Sequence, residues 1–256
     1  VETLILVILA GLAWGSFLNV VIYRLPRRMS LVRPPSSCPA CKERIRFYDN
    51  IPLVSYLALG GRCRHCRARI PFSYFLVEAL TPAAFVILYL RDWPDFRFFA
   101  SCIFASALVV LAVIDFYHKI LPDAITYPGF ALGLAYAFFR PDLGVFRALI
   151  GAAVGAGFLL FIYGGYYLVR KKEGLGLGDA TMMAMVGIYL GWEKTLLTLI
   201  LASFAGAIVG ILIMLVKKKN LQYSVPFGTF LAPAAFVSLV WGDALISAYL
   251  GFFRGR

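Results

Sequence analysis

Leu108–Asp123 reads LVVLAVIDFYHKILPD, and Gly174–Leu190 reads GLGLGDATMMAMVGIYL. Each stretch sets one aspartate, Asp115 or Asp179, against a long apolar run. A carboxylate at the edge of hydrocarbon is costly, so by default it marks a functional site. Two such groups brought together can share a proton and activate water, the chemistry of aspartic proteases. Whether these two meet depends on how the chain crosses the membrane.

Composition fixes the class. Of 256 residues, 61% are hydrophobic and 15% charged, and the mean hydropathy is +0.83, well outside the soluble globular range. Apolar runs long enough to span a bilayer recur along the chain. They predict an all-α polytopic membrane protein with about eight transmembrane helices, at Thr3–Tyr23, Phe75–Leu90, Phe98–Asp115, Ala124–Phe139, Val145–Val169, Ala180–Trp192, Thr195–Val216 and Phe227–Leu250. The first run is too long for a signal-peptide core and no A-x-A site follows it, so no cleavable leader is expected.

The formal net charge of +12 raises a nucleic-acid partner, but its distribution argues against one. Eleven Lys and Arg lie between Arg24 and Arg69, followed in alternate loops by Lys119, Arg170–Lys172 and Lys217–Lys219. The positive-inside rule places this set in the cytoplasm and both termini outside. On that topology Asp115 closes the third span and Asp179 opens the sixth, so the two share the cytoplasmic face although 64 positions apart. The sixth span is about 20 Å of helix at 1.5 Å per residue, short of the roughly 30 Å core, which puts Asp179 in a cavity inside the membrane boundary. Asp123, after Pro122, reads as a helix N-cap. Asp179 also begins a helix, so a capping role competes with a catalytic one there. Asp115 ends a helix, where a carboxylate opposes the macrodipole.

Residues 24–72 form the one long loop, rich in Pro, Arg and Cys. It divides the chain into a first transmembrane helix at 1–23, a cytoplasmic insert at 24–72 and a helical core at 73–256. Cys38-Pro-Ala-Cys41 and Cys63-Arg-His-Cys66 give a C-x2-C-x21-C-x2-C arrangement suited to Zn²⁺ held by four thiolates. A reducing cytosol disfavours disulfides. Four thiolate ligands make a closed, structural site, and an insert with little core of its own would draw much of its folding energy from the metal. His65 lies between two ligands, but Cys66 has the better spacing. Cys102 lies in an apolar span as buried packing.

Other chemistries are absent from the sequence. Two histidines, His65 and His118, leave no H-E-x-x-H site, and there is no G-x-S-x-G elbow, P-loop or D-[ST]-G motif. Gly174–Gly178 imitates a dinucleotide loop but follows a membrane span and a basic stretch instead of a β-strand. Those glycines let the backbone bend around Asp179.

GSFLNVVIYRLP (Gly15–Pro26), the cysteine block Ser36–Pro71, FLVEALT (Phe75–Thr81), D-x6-PD (Asp115 to Asp123), GLGD (Gly176–Asp179) and PFGTFLAP (Pro226–Pro233) occur in one order. That order resembles type IV prepilin peptidases over nearly the whole chain. The resemblance implies a bifunctional enzyme of the bacterial inner membrane with prepilin and pseudopilin substrates. It would cut their leaders on the cytoplasmic side and N-methylate the exposed residue with S-adenosylmethionine. It also implies Asp115 and Asp179 as catalytic residues and Cys38, Cys41, Cys63 and Cys66 as zinc ligands. The chain departs from the family's pattern at Thr181-Met182, where a Lys-Leu pair is usual, and at Ser73, where an Arg is frequent. These departures bear on substrate preference and methylation and are not expected to touch the aspartates.

One aspartate, ionised, would take a proton from water while the other, protonated, polarises the scissile carbonyl. Like charges this close resist joint ionisation, so the pair titrates in two separated steps. Glu78, inside the second span, is either an acid favoured by its helix N-terminus or a contact for the substrate amine or the methyl-transfer site. Two alternatives differ in kind: a monofunctional GxGD intramembrane protease, against which the cysteine insert argues, and an ion-coupled transporter, which calls for mid-membrane acids and hydropathy repeats.

Overall fold

The structure is a computed structural model that describes residues 1–171, 176–217 and 226–254. Gly174 and Leu175 of the glycine-rich run, and Lys172, Lys218 and Lys219 of the charge pattern, lie outside them. The described chain is helical: α1 (Glu2–Arg24), α2 (Val54–Ala58), α3 (Phe72–Asp92), α4 (Arg97–His118), α5 (Asp123–Phe138), α6 (Gly144–Arg170), α7 (Leu177–Leu190), α8 (Trp192–Lys217) and α9 (Gly228–Arg254). No β-strand occurs among the described residues, only two isolated bridges in the cysteine insert.

Six helices, α1, α3, α4, α6, α8 and α9, are long and apolar enough to cross a membrane. The other two expected spans are helices of 16 residues (α5) and 14 residues (α7), about 24 and 21 Å long and short of a roughly 30 Å core. α8 presents Ile200, Phe204, Ile208, Ile211 and Leu215 outward, each more than half exposed, as a helix bathed in an apolar solvent does.

The chain divides into two compact units, Val1–Val113 and Ile114–Arg256. In the first, α1 packs on α3. A Cβ at Gly11 would lie 2.7 Å from the Pro82 Cα, so glycine lets the backbones meet there, and at Gly15, where a Cβ would lie 3.2 Å from the Glu78 Cα, they still pass closely. The buried Arg24 closes α1 and donates to the carbonyls of Ser30 (2.8 Å) and Pro34 (2.6 Å), which fixes the path into the insert. Trp14 Nε1 donates to Ser106 Oγ at 3.0 Å and ties α1 to α4.

In the second unit the short α7 is the centre, packed by α5, α6, α8 and α9. Ten of its fourteen residues are buried, including Met182, Met183, Met185, Val186 and Ile188. A helix apolar all round belongs inside a bundle. Two G-x-x-x-G faces admit it. Gly129 and Gly133 of α5 face Met185, Ile188 and Tyr189, while Gly151 and Gly155 of α6 face the backbone of Met183 and Gly187. The closest approach is Gly151 to Gly187, where a Cβ on Gly151 would lie 2.4 Å from the Gly187 carbonyl oxygen.

Gly151→Ala should therefore force α6 and α7 apart and cost about 1–3 kcal/mol. Gly164→Ala on the same helix meets nothing within 4 Å and serves as the control. Thermal denaturation of the two variants in detergent checks the difference; equal midpoints would contradict the close packing.

Candidate active site and metal centre

Asp115 and Asp179 line one cavity of about 780 Å³ in the second unit. Both are buried, at 5% and 7% exposure, in surroundings where a carboxylate needs partners.

Their partners differ. Asp115 lies in the last turn of α4, against the local dipole, and the N-terminus of α9 compensates it. Thr229 N–H donates to Asp115 Oδ2 at 2.8 Å and Thr229 Oγ1 lies 3.3 Å from the same oxygen. Free N–H groups and the positive dipole end of a helix favour an anion there. Gly228 makes this contact possible, because a Cβ on it would lie 2.9 Å from Asp115 Oδ2. By contrast, Asp179 Oδ1 is buried with no hydrogen-bond partner among the described residues. A buried carboxylate oxygen left without a partner is costly, and a catalytic role is one reason a fold keeps it.

Lys119, in a left-handed conformation (φ 54°), ends α4, and residues 120–122 turn the chain into α5. Within that turn Leu121 lies against the start of α7 and the start of α9. Its Cβ would lie 3.0 Å from a Cβ at Gly178, and its Cδ2 3.0 Å from one at Gly228.

Neither Asp123, expected as an N-cap, nor Asp179, for which capping is the competing role, caps its helix. α5 has Pro122 as its N-cap and Asp123 as its first residue, and Asp123 makes no capping bond. α7 likewise has Gly176 as N-cap, with Asp179 in its first turn and without a side-chain cap bond. Proline fixes a compatible φ at the α5 start, which frees the Asp123 side chain to line the cavity. Thr181, one of the departures from the family pattern, also lines the cavity and donates to the Gly178 carbonyl at 2.9 Å. That departure thus lies in the aspartates' own cavity, two residues from Asp179. Thr229, Gly228 and Tyr127 carry no signal that singles them out in sequence; only the PFGTFLAP stretch hinted at the first two.

In the first unit, the sulfurs of Cys38, Cys41, Cys63 and Cys66 all lie within 4.8 Å of one another. The two knuckles are built alike. Cys38 N–H donates to Glu43 O and Cys63 N–H to Ala68 O, both at 2.9 Å, and the residue after each second cysteine, Lys42 or Arg67, is left-handed. Zn–S bonds of about 2.3 Å imply a tetrahedron edge of about 3.8 Å. Cys38 and Cys66 Sγ are 3.8 Å apart, so the donor set fits zinc.

The thiols' electrostatics agree. Burial opposes ionisation of Cys38, but N–H groups of Cys41 and Ala40 and the neighbouring thiols bring it down to about 7. The Glu43 N–H favours the Cys41 thiolate, yet burial and the three surrounding thiols push it up to about 12. Four thiolates cannot gather without a cation, and a divalent metal removes that obstacle.

Glu78 has a partner in the insert. Its Oε2 accepts the Leu53 N–H at 2.8 Å, where Leu53 adopts φ 61°. It also edges a second cavity of about 130 Å³ lined by Asn19, Arg24, Lys42 and Tyr74. That volume is below the roughly 300–1,000 Å³ of small-molecule sites.

Residues 9–91 match the bacterial peptidase A24 N-terminal domain, and residues 102–211 match the type IV leader peptidase family. A protein of Pseudomonas aeruginosa named prepilin leader peptidase/N-methyltransferase is 37% identical over 268 residues, covering 96% of this chain and 92% of the relative. A Pseudomonas putida protein of the same name is 36% identical, covering 94% of this chain and 93% of the relative. One from Myxococcus xanthus, also so named, is 45% identical over 207 residues, 80% of this chain and 61% of its own length. No solved structure matches the chain.

Purified protein should carry about one Zn²⁺ per chain. Cys38→Ser or Cys63→Ser should release it and make residues 24–72 sensitive to protease. Metal analysis by mass spectrometry with limited proteolysis checks both; metal-free protein with cysteines paired as disulfides would refute the assignment.

Proposed function

We propose that this chain, which belongs to the type IV leader peptidase family, cleaves the leader of prepilins and pseudopilins at the Asp115–Asp179 pair and N-methylates the new N-terminal residue. The observation that carries the reading is the placement of both carboxylates in one cavity, with unequal partners. Asp115, held by Thr229, acts as the base: it takes a proton from a water as the water oxygen attacks the scissile carbonyl carbon. Asp179, protonated, donates a hydrogen bond to the carbonyl oxygen and stabilises the tetrahedral diol. The proton gathered by the pair then passes to the amide nitrogen, the C–N bond breaks, and a carboxyl group and a free amine result.

The second reaction uses that amine. S-adenosylmethionine supplies a sulfonium methyl group, which a neutral amine attacks in line. No activated water is needed, so this step is independent of the aspartate pair. Glu78 and the insert are the region assigned to it, on the strength of the insert's polar lining. The 130 Å³ cavity beside Glu78 holds at most a fragment of the donor without rearrangement. The crowding of Lys and Arg in residues 24–69 supports an inner-membrane protein with the insert and the aspartates on the cytoplasmic side.

Asp115→Asn and Asp179→Asn should each abolish leader cleavage of a prepilin in membranes, and the double variant should be no worse than either. Asp179→Asn should still methylate a synthetic mature pilin N-terminus with labelled donor. Normal processing by either single variant would sink the hydrolytic mechanism, and loss of methylation by a folded Asp179→Asn protein would show that the reactions share one site.

Gly228→Ala tests the support of Asp115 separately. Its Cβ has no room beside Asp115 Oδ2, so cleavage should fall at least tenfold in kcat, while the larger cost of Gly228→Val should remove it. Unchanged turnover in Gly228→Ala would mean that the α9 N-terminus does not position the carboxylate.

A further inference from the structure

We propose that Asp123 and Tyr127 form a subsite for a lysine or arginine side chain of the peptide that is cut, which makes Asp123 a specificity-determining residue. The inference deepens the hydrolytic reading above and rests on it. The two residues are the first and fifth of α5, one turn apart, a spacing that sets side chains on one helix face with Cβ atoms about 5–6 Å apart. Both line the 780 Å³ cavity and both are exposed within it. Among the described residues no hydrogen bond, ion pair or ring contact engages either side chain. A carboxylate beside an open aromatic face is the pairing that takes an ammonium or guanidinium group.

The remaining lining agrees. Among the described residues its charged groups are Asp115, Asp123, Asp179 and Lys119, three acids to one base, in a chain whose formal net charge is +12. A cleft lined mainly by one sign concentrates ligands of the other. Asp115 and Asp179 are occupied by hydrolysis, with the buried Asp179 Oδ1 left for the reacting group. Asp123 is the acid that hydrolysis leaves unused. The other wall is apolar, supplied by Phe158, Leu159 and Ile162 of α6 and Leu199 of α8. A peptide that satisfies both walls has a basic residue adjoining an apolar stretch.

The test uses the full-length protein in detergent micelles and two synthetic peptides that share an apolar segment and a scissile bond. One carries lysines ahead of the bond, the other glutamines. Asp123→Asn should raise KM for the lysine peptide about tenfold, the worth of one charge-assisted contact, with the change in KM and not in kcat. The glutamine peptide, which lacks the cation, should show no such rise. Asp123→Lys should reverse the preference, so that a peptide with glutamates ahead of the bond is cut better than the lysine one. Asp123→Glu keeps the carboxylate and should restore the lysine preference, which carries the test if Asp123→Asn does not fold. An Asp123 that only steadies α5 would cost both peptides equally; that result, or a fall in kcat at constant KM, overturns the subsite. If the unaltered protein cuts neither peptide, the hydrolytic reading itself fails.

Discussion

The site in the second unit depends on how closely helix backbones approach α7. Fourteen residues cannot reach across a bilayer, so α7 has value only as a centre for other helices. Gly129, Gly133, Gly151 and Gly155 supply that closeness in two G-x-x-x-G pairs, each facing a different side of α7. In an apolar solvent, close packing replaces the hydrophobic effect as the force that joins helices. Asp179 is buried because α7 is buried, and α7 is buried because four positions carry no side chain.

The two aspartates are inequivalent for a related reason. Asp115 stands at the end of one helix and faces the start of another, α9, whose free N–H groups receive it. Asp179 stands at the start of its own helix, with its Oδ1 shut away from any partner among the described residues. Acid–base catalysis by paired carboxylates needs environments that separate the two roles. In the proposed reaction the helix ends supply that separation. Leu121 touches the starts of both α7 and α9, at Gly178 and Gly228.

Much of this was legible in sequence, and the limits have physical causes. Apolar runs long enough to cross a membrane announce themselves, and so do a stray aspartate beside each of two such runs and a doubled C-x2-C. What a run of apolar residues does not say is whether it faces lipid or other helices. α7 and α8 look alike in composition, yet one is enclosed and the other open. The partner of Asp115 lies 114 residues away in α9, beyond any local pattern. Proline before an acid is a common helix start, so in sequence Asp123 reads as a cap. The structure lets proline take the capping position and leaves the acid free. The join between Glu78 and Leu53 was hidden for a different reason, since it uses a backbone N–H that no side-chain identity reveals.

The order in which the parts become complete along the chain has a consequence for biogenesis. All four cysteines lie within residues 38–66, and the bonds that shape the two knuckles are local. The sulfur cluster can therefore close as soon as that stretch has left the ribosome, before α4 is made. The aspartate site needs α4, α7 and the first residues of α9, so it exists only when synthesis is almost finished. On the proposed reading, a chain arrested after α3 would already have its four thiolates gathered for a metal and would have no means of cutting a peptide. If hydrolysis belongs to the aspartate pair as proposed, it is withheld from every nascent intermediate, which spares the translocating chain and its neighbours from an enzyme active before its membrane domain is assembled.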